Sequence, residues 1–359
     1  MYKILVVSIF FSYYANAVTL EEKIGQMLMI GFHGITAKKE SQICKDIKKY
    51  NIGAVILFDY NPVNKNKPKN IMNKKQLKVL TEELQDCSSE GKLLIAVDQE
   101  GGKVQRLKTQ YGFYGKFPKA SDVAKMDEYQ IKITYEKMSD ELHSVGINYD
   151  LAPVVDLDIN MQNHVIHGLG RSFGKDPKVV AKYASTFIDA MHSNGVLTSI
   201  KHFPGHGSSV GDTHKGFVDV THLWKEKELE PYHLLKNKAD TVMVAHVFNK
   251  KLDNKYPASL SYKTITKMLR WKLGYHGVVI TDDLQMGAIS KKYGLKNTLK
   301  LAINAGDDIL LIGNQLDPKQ VKSTKELVDT ILSLVKSGEV KIDFIDKSYG
   351  RIQKLKNKL

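Results

Sequence analysis

The segment at residues 201–214 brings together the side-chain types that proton transfer requires. A short apolar run ends in Lys201, His202 and a glycine-rich turn, and Asp212 and His214 follow a few residues later. A carboxylate two positions from an imidazole can bond one ring nitrogen, which fixes the tautomer and leaves the other nitrogen for acid and base work. This pattern points to an enzyme; the alternative is a surface histidine beside an Asx-type turn.

A second candidate is Asp282, which directly follows the apolar residues 277–281. A carboxylate at the end of a β-strand is held in a fixed position, as a nucleophile or an ion-pair partner requires. Asp283 would point to the other side of the strand, where it could cap the next helix. The simpler alternative is that Asp282 is itself only a helix cap.

The basic side chains around the glycine-rich turn have different expected uses. Lys201 and His202 can donate hydrogen bonds to hydroxyl or carbonyl oxygens of a ligand, so both are candidates for binding. For Lys201, a salt bridge to a carboxylate of the fold is a competing role. His206 is held between two glycines and is expected to be structural.

Two arginines stand in glycine-bearing segments that could contact a ligand. Only four of the 53 Lys and Arg residues are arginine, so we expect arginine where its planar, bidentate fork is needed. Arg106 closes the segment 98–106, in which Asp98 could accept two vicinal hydroxyl groups. Arg171 lies in the glycine-framed loop 168–174. The segment 98–106 does not have the spacing of a phosphate-binding loop.

Eight apolar runs recur along the chain and must supply the elements that position these residues. They lie at 27–32, 54–58, 93–97, 147–155, 196–200, 241–245, 278–280 and 309–312. Helix-compatible segments alternate with them, among them 74–87, 128–144, 179–193 and 261–273. The alternation favours a parallel α/β sheet, and eight units favour its closure as a (β/α)8 TIM barrel, whose sites form at the carboxyl ends of the strands. An open doubly wound sheet is the alternative.

The 359-residue chain is predicted to consist of a signal peptide at 1–17 and one catalytic domain at 18–359 that ends in two helices. Lys3 precedes an apolar stretch, and Ala15-Asn16-Ala17 has the small-x-small form of a signal-peptidase site. Because a spanning helix needs about 20 apolar residues, stable membrane insertion is not expected. We expect an exported protein, periplasmic or secreted; an uncleaved membrane anchor is the alternative.

Cysteine content and net charge add weaker constraints. Cys44 and Cys87 could pair in an oxidising compartment, but the sequence leaves their pairing open. The net charge of +14 could attract a polyanion. Since the lysines are spread through the chain, a bias in lysine usage explains the charge better, and we expect no nucleic-acid partner. We also expect a monomer.

Residues 98–106, 170–173, 201–214 and 280–282 together resemble the bacterial β-N-acetylglucosaminidases (β-N-acetylhexosaminidases) of glycoside hydrolase family 3. The matching segments stand in the family's order and cover nearly all of residues 18–359. The resemblance implies a (β/α)8 barrel in which Asp282 is the nucleophile and His214, polarised by Asp212, is the acid/base. It implies no metal and no cofactor, and it assigns binding of the N-acetylglucosamine ring to Asp98, Arg106, Arg171, Lys201 and His202.

The implied reaction is a retaining hydrolysis that removes terminal N-acetylglucosamine through a covalent glycosyl-enzyme on Asp282. Muropeptides and other peptidoglycan fragments are the expected substrates, and chitin-type oligosaccharides come second. The alternatives are an N-acetylglucosaminide phosphorylase of the same family, a non-catalytic sugar-binding protein, and a metal-dependent barrel hydrolase that would use His202, His206, His214 and Asp282. The glycine-rich segment 204–215, which includes His214, is expected to be mobile.

Overall fold

The structure, a computed structural model, describes residues 18–62, 64, 66–89 and 92–359. The predicted signal peptide at 1–17 lies outside these residues. Within them, no helix combines the length and the apolar character needed to cross a membrane.

Eight parallel strands form a nearly closed barrel at the centre of the molecule. In chain order they are β1 (Leu28–Gly31), β2 (Ala54–Ile56), β3 (Leu94–Val97), β4 (Tyr149–Asp150), β5 (Leu197–Phe203), β6 (Thr241–Val244), β7 (Val278–Thr281) and β8 (Leu310–Ile312). Strand β8 returns to pair with β1, with Leu310 opposite Leu28. A bridge between Ile280 and Ile309 joins β7 to the start of β8. The predicted (β/α)8 fold is therefore confirmed, and the open-sheet alternative is excluded.

Helices surround the barrel and bury its outer face. They are α1 (Leu20–Gln26), α2 (Gln42–Tyr50), α3 (Lys74–Cys87), α4 (Ala120–Val123), α5 (Glu128–Ser144), α6 (Pro177–His192), α7 (Glu230–Leu235), α8 (Gly287–Ala305), α9 (Thr324–Lys336) and α10 (Ile342–Lys356). In α6, Asp176 caps the first turn and Pro177 occupies it, where its missing N–H costs nothing. The buried Val180, Ala184 and Phe187 recur at helical spacing and place one face of α6 against the strands.

Several predicted boundaries shift in the structure. The run 147–155 yields only the two-residue strand β4, and the chain leaves the strand before Pro153, which has no N–H to donate to a ladder. The segment 261–273 forms a π-helix at Lys263–Lys272. The expectation that Asp283 caps the next helix is wrong: α8 begins at Gly287, with Met286 as the residue before it.

Two further features hold the outer layer together. A disulfide joins Cys44 in α2 to Cys87 at the end of α3, with Cα atoms 5.3 Å apart, so these two helices are linked covalently. The predicted C-terminal helices are α9 and α10. Helix α10 is hydrogen-bonded to the barrel at the amino-terminal end of β8. Ser348 Oγ and Arg351 Nη1 donate to Asp308 Oδ1, just before β8, at 2.8 and 2.9 Å.

Candidate active site

A cavity of about 360 Å³ opens at the carboxyl ends of the strands, where sites of this fold are built. Every residue that the sequence predicted for the site lines it: Asp98, Arg106, Arg171, Lys201, His202, Asp212, His214 and Asp282. The lining also includes apolar side chains such as Phe58, Leu151 and Met243. The cavity therefore combines an apolar wall with a concentrated set of charges.

The floor of the cavity is a chain of ion pairs centred on Lys201. Lys201 Nζ lies 2.9 Å from Asp98 Oδ1 and 2.7 Å from Glu100 Oε1. Arg106 Nη2 donates to Asp98 Oδ2 at 3.0 Å. Arg171 donates to both oxygens of Glu100, from Nε and Nη2, at 2.7 Å each. This bidentate contact is the fork geometry expected of an arginine kept for a special position.

Neighbouring opposite charges keep the side chains of this floor ionised. Burial alone would raise the pKa of Asp98, but the cations of Lys201 and Arg106 hold it well below its usual range. Burial likewise opposes ionisation of Glu100, and Arg171 and Lys201 nevertheless lower its pKa to about 2. In return, Asp98 and Glu100 raise the pKa of Lys201 despite the effect of its burial. All these groups are charged at neutral pH, and a ligand meets a rigid set of donors and acceptors.

An irregularity in β5 explains how two adjacent residues reach the same cavity. Neighbouring residues of a regular strand point to opposite faces, yet both Lys201 and His202 line the cavity. The register between β5 and β6 shifts between Ile200 and Phe203, as at a bulge. Asp156, at the end of the fourth apolar run, then holds His202, accepting from its ring at Nδ1 (2.6 Å).

His206 has the structural role that the sequence indicated. Its backbone N–H donates to Asp156 Oδ1 at 2.7 Å, and its Nδ1 lies 2.7 Å from Ser209 Oγ. Burial lowers the pKa of His206 to about 4, so the ring is neutral at physiological pH. It serves to position the start of the loop that leads to His214.

Asp282 lies at the end of β7 as an ionised carboxylate. Its backbone N–H donates to Val244 O of β6 at 3.1 Å, which fixes the residue in the barrel. Burial alone would raise the pKa of Asp282, but His246, His202 and His214 lower it overall. His246 is itself held by Ser259 Oγ at 2.7 Å. A fixed and negatively charged oxygen is what nucleophilic attack on an electron-poor carbon requires.

Asp212 and His214 form the predicted pair. His214 Nδ1 lies 2.8 Å from Asp212 Oδ1, and the backbone N–H of His214 donates to the same oxygen at 3.0 Å. Burial tends to raise the pKa of Asp212, but the hydrogen bonds from His214 lower it, so the carboxylate is ionised. The His214 side chain is 54% exposed. The second ring nitrogen can thus exchange protons with a ligand or with solvent.

Sequence reasoning missed two residues that organise this site. Glu100 lies two positions after Asp98, just beyond β3, and this closeness in sequence could have indicated a second carboxylate in the site. Asp283 was assigned to a helix, but its carboxylate accepts the N–H groups of Gln285 and Gly313 at 3.0 and 3.1 Å. Burial raises the pKa of Asp283 to about 6. The two consecutive aspartates therefore have opposite electrostatic environments.

The described residues also bear on the metal-dependent alternative. They contain no group of three His, Cys, Asp or Glu side chains arranged to hold a metal ion. The set His202, His206, His214 and Asp282 shares one cavity, but His202 and His206 are each committed to a protein partner. The geometry therefore gives the metal-dependent alternative no support.

The fold and this site agree with the family to which the chain belongs. It is a member of glycosyl hydrolase family 3: the family's N-terminal domain matches residues 19–355. The predicted family is thereby confirmed.

Individual relatives are similar over most of this chain. Beta-hexosaminidase A of Pseudoalteromonas piscicida is 32% identical over 387 residues, covering 95% of this chain and 61% of the relative. Beta-hexosaminidase LpqI of Mycobacterium tuberculosis is 34% identical over 274 residues, covering 74% and 68%. A family 3 β-N-acetylglucosaminidase structure from a Paenibacillus species has a TM-score of 0.84 and 34% identity, covering 95% of this chain and 63% of that one. The chain thus spans less than two thirds of the first relative and of the Paenibacillus protein.

Proposed function

We propose that this protein is a retaining β-N-acetylglucosaminidase that removes terminal, non-reducing N-acetylglucosamine. The observation that supports it best is the meeting of Asp282 and the Asp212–His214 pair in one cavity above the charged floor. A nucleophile and a proton donor on either side of one bound sugar are the requirements of a two-step glycoside hydrolysis. The names of the relatives, beta-hexosaminidase and β-N-acetylglucosaminidase, support the same sugar.

In the first step, Asp282 attacks the anomeric carbon while the bond to the leaving oxygen breaks. His214, protonated and held by Asp212, gives its proton to that oxygen, so the leaving group departs as a neutral alcohol. In the second step, neutral His214 takes a proton from water. The resulting hydroxide equivalent attacks the anomeric carbon, which releases the sugar and restores the Asp282 carboxylate.

A histidine acid has an electrostatic advantage next to Asp282. Two carboxylates in one site disfavour each other's ionised forms, which raises one of their pKa values. Neutral His214 imposes no such repulsion, and positive charge on the nearby histidines, His246 first, lowers the pKa of Asp282. Asp282 is therefore ionised when it attacks and again when the second step releases it.

The floor supplies the groups that would hold the sugar. Asp98 can accept from hydroxyl groups, while Arg106, Arg171, Lys201 and His202 can donate to hydroxyl and acetamide oxygens. Lys201 also forms a salt bridge with Asp98, the competing role that the sequence allowed for it. The salt bridge and sugar binding are compatible, because a lysine ammonium has three donors.

Peptidoglycan fragments are the proposed substrates, and chitin-type oligosaccharides are the second candidate. We also propose that the protein is exported and acts as a monomer. The Cys44–Cys87 disulfide supports export, because disulfides persist in oxidising compartments such as the periplasm or the medium.

The proposal is tested by trapping the intermediate with a 5-fluoro N-acetylglucosaminide and measuring intact mass. We expect one adduct that peptide mapping places on Asp282. The neighbouring variant Asp283→Asn serves as the matched control and should still be labelled, whereas Asp282→Asn should not. No adduct, or one on another residue, would contradict the assignment.

Phosphorolysis is the second candidate reaction, since neutral His214 does not repel an anionic acceptor as a carboxylate would. Products are compared with and without inorganic phosphate. Free N-acetylglucosamine in both cases supports hydrolysis. Accumulation of the sugar 1-phosphate when phosphate is present identifies a phosphorylase.

A further inference from the structure

Two consecutive polar residues, Lys69 and Asn70, are completely buried between β2 and α3. Asn70 Oδ1 accepts from the N–H of Phe58 at 3.0 Å. Asn70 Nδ2 donates to Phe32 O and to Gly34 O, each at 3.0 Å. Asn70 therefore joins the segments that follow β1 and β2, and it fixes the place of its neighbour Lys69.

Lys69 holds the turn that follows β8. Its Nζ donates to Asn314 O at 2.7 Å and to Gly313 O at 3.1 Å. Other side chains accept from the N–H groups of the same two residues. Gly313 N donates to Asp283 Oδ1 at 3.1 Å, and Asn314 N donates to Gln285 Oε1 at 2.6 Å. The backbone N–H and C=O groups of both turn residues are therefore bound by side chains.

These contacts lead to one wall of the active-site cavity. Three residues held by them or directly following them line that cavity: Phe58, Gln315 and Leu316. Lys69 Nζ lies 4.6 Å from the centre of the Phe58 ring, a distance at which a cation is attracted to an aromatic face. The guanidinium carbon of Arg106, which belongs to the charged floor, lies 5.6 Å from the centre of the same ring. Lys69 thus supports the wall and adjoins the floor.

The burial of Lys69 does not serve stability. It lowers the pKa of the ammonium group from 10.5 to about 7, although the Asp283 carboxyl opposes this effect. Because the unfolded chain then binds the proton more tightly, the folded protein loses stability as the pH falls from 10.5 to 7. An apolar side chain of the same length would avoid this loss. A buried cation kept at such a cost indicates a role in activity, for which proteins commonly give up stability.

We propose that Lys69 is a positioning residue, which fixes the wall formed by Phe58 and by the turn at 313–316 so that the cavity is shaped before the sugar binds. Because Lys69 is completely buried, it acts through these residues and contacts neither the sugar nor the reacting atoms. Its removal should weaken sugar binding more than it slows the chemical steps, since Asp282 and His214 remain. The proposal rests on the proposed function for the choice of sugar in the assay.

The test replaces Lys69 with methionine, which has a similar length and no charge, and measures kcat and KM on an aryl N-acetylglucosaminide. In Lys69→Met we expect KM to rise about tenfold and kcat to change less than about threefold, the pattern of lost binding. The matched control is Lys356→Met. Lys356 lies on α10, is also buried, and donates to Gln26 Oε1 at 2.8 Å. Its replacement should leave KM unchanged, because neither residue lines the cavity.

Hydrogen exchange supplies a measurement that needs no substrate. The amides of the turn at 313–316 should exchange at least about threefold faster in Lys69→Met than in wild type, and at the wild-type rate in Lys356→Met. If Lys69→Met does not fold, Lys69→Gln, which keeps an uncharged donor, takes its place in both measurements.

An unchanged KM, a loss confined to kcat, or unchanged exchange in the turn of the folded variant would each overturn the proposal. If wild type does not cleave the glycoside, the proposed function fails. The exchange rates at the turn then still decide whether Lys69 positions it.

Discussion

The buried contacts of Glu100 give a quantitative prediction for the variant Glu100→Gln. The Glu100 side chain is 7% exposed and bonds to Arg171 and Lys201, and its pKa falls from 4.5 to about 2. A pKa change of one unit corresponds to about 1.36 kcal/mol. The lowered pKa of Glu100 therefore contributes about 3 kcal/mol to the free energy of unfolding. A loss of stability of similar size is expected when a buried ion pair loses one of its partners.

The sign of the pH dependence follows from the direction of the pKa change. A carboxylate with a depressed pKa stabilises the folded protein fully above its unfolded pKa of 4.5, and this contribution is lost as the pH falls towards 2. Glutamine at position 100 cannot supply it at any pH. The variant should therefore be most destabilised near neutrality and approach wild type in acid.

Urea unfolding at pH 7 and pH 3 measures the effect. We expect Glu100→Gln to lose about 3 kcal/mol at pH 7 and only about 1 kcal/mol at pH 3. The control is Glu136→Gln, which removes an exposed pair with Lys132 on α5 and should cost less than about 0.5 kcal/mol. A stability loss at pH 7 no greater than the control's, or one that stays constant down to pH 3, would refute the reasoning.

Two further predictions concern the acid/base segment. His214→Ala should slow cleavage of natural disaccharides far more than that of activated aryl glycosides, whose good leaving groups need little protonation; equal losses in kcat/KM would argue against the acid role. Glu228 accepts the N–H groups of Ser208 and Lys225 at 3.2 and 3.1 Å, and burial raises its pKa to about 7. The contribution of Glu228 to stability is largest below pH 4.5 and is lost as the pH rises through 7. Between pH 4.5 and pH 7.5, the free energy of unfolding of Glu228→Gln should therefore rise by about 3 kcal/mol relative to that of wild type. A difference between the two proteins that does not change with pH in urea unfolding would disprove this.

The fold could be predicted from the sequence because its barrel strands are buried on both faces. Such strands appear as continuous apolar runs, and each of the eight predicted runs overlaps one strand. The boundaries were less accurate where other forces decide them. Strand β4 is two residues long, since Pro153 follows, and Asp283 bonds to Gly313 at the end of β8 instead of to a helix, a contact across 30 positions.

The site residues could be predicted where they lie at or just after the carboxyl end of a strand, because parallel strands bring these ends together. Asp98, Lys201 and Asp282 are of this kind. The ion pairs within the site could not be predicted from the sequence. Arg171 pairs with Glu100 and not with Asp98, and this choice depends on the positions of side chains that are far apart in sequence. The Cys44–Cys87 bond stayed open for the same reason, since no residue pattern gives the distance between α2 and α3.

The two reacting side chains differ in exposure, and the difference suits a reaction in which His214 first gives a proton and then takes another from water. Asp282 is fixed by β6 and β7, and the neighbouring histidines lower the pKa of its carboxyl group. His214 is 54% exposed on a loop and is held by hydrogen bonds with Asp212 and by one from the start of α8 to its backbone oxygen. A donor that must protonate a departing oxygen and then deprotonate an incoming water has to reach solvent between the two steps. Burying both groups would strengthen their attraction but would cut His214 off from the water that completes the cycle.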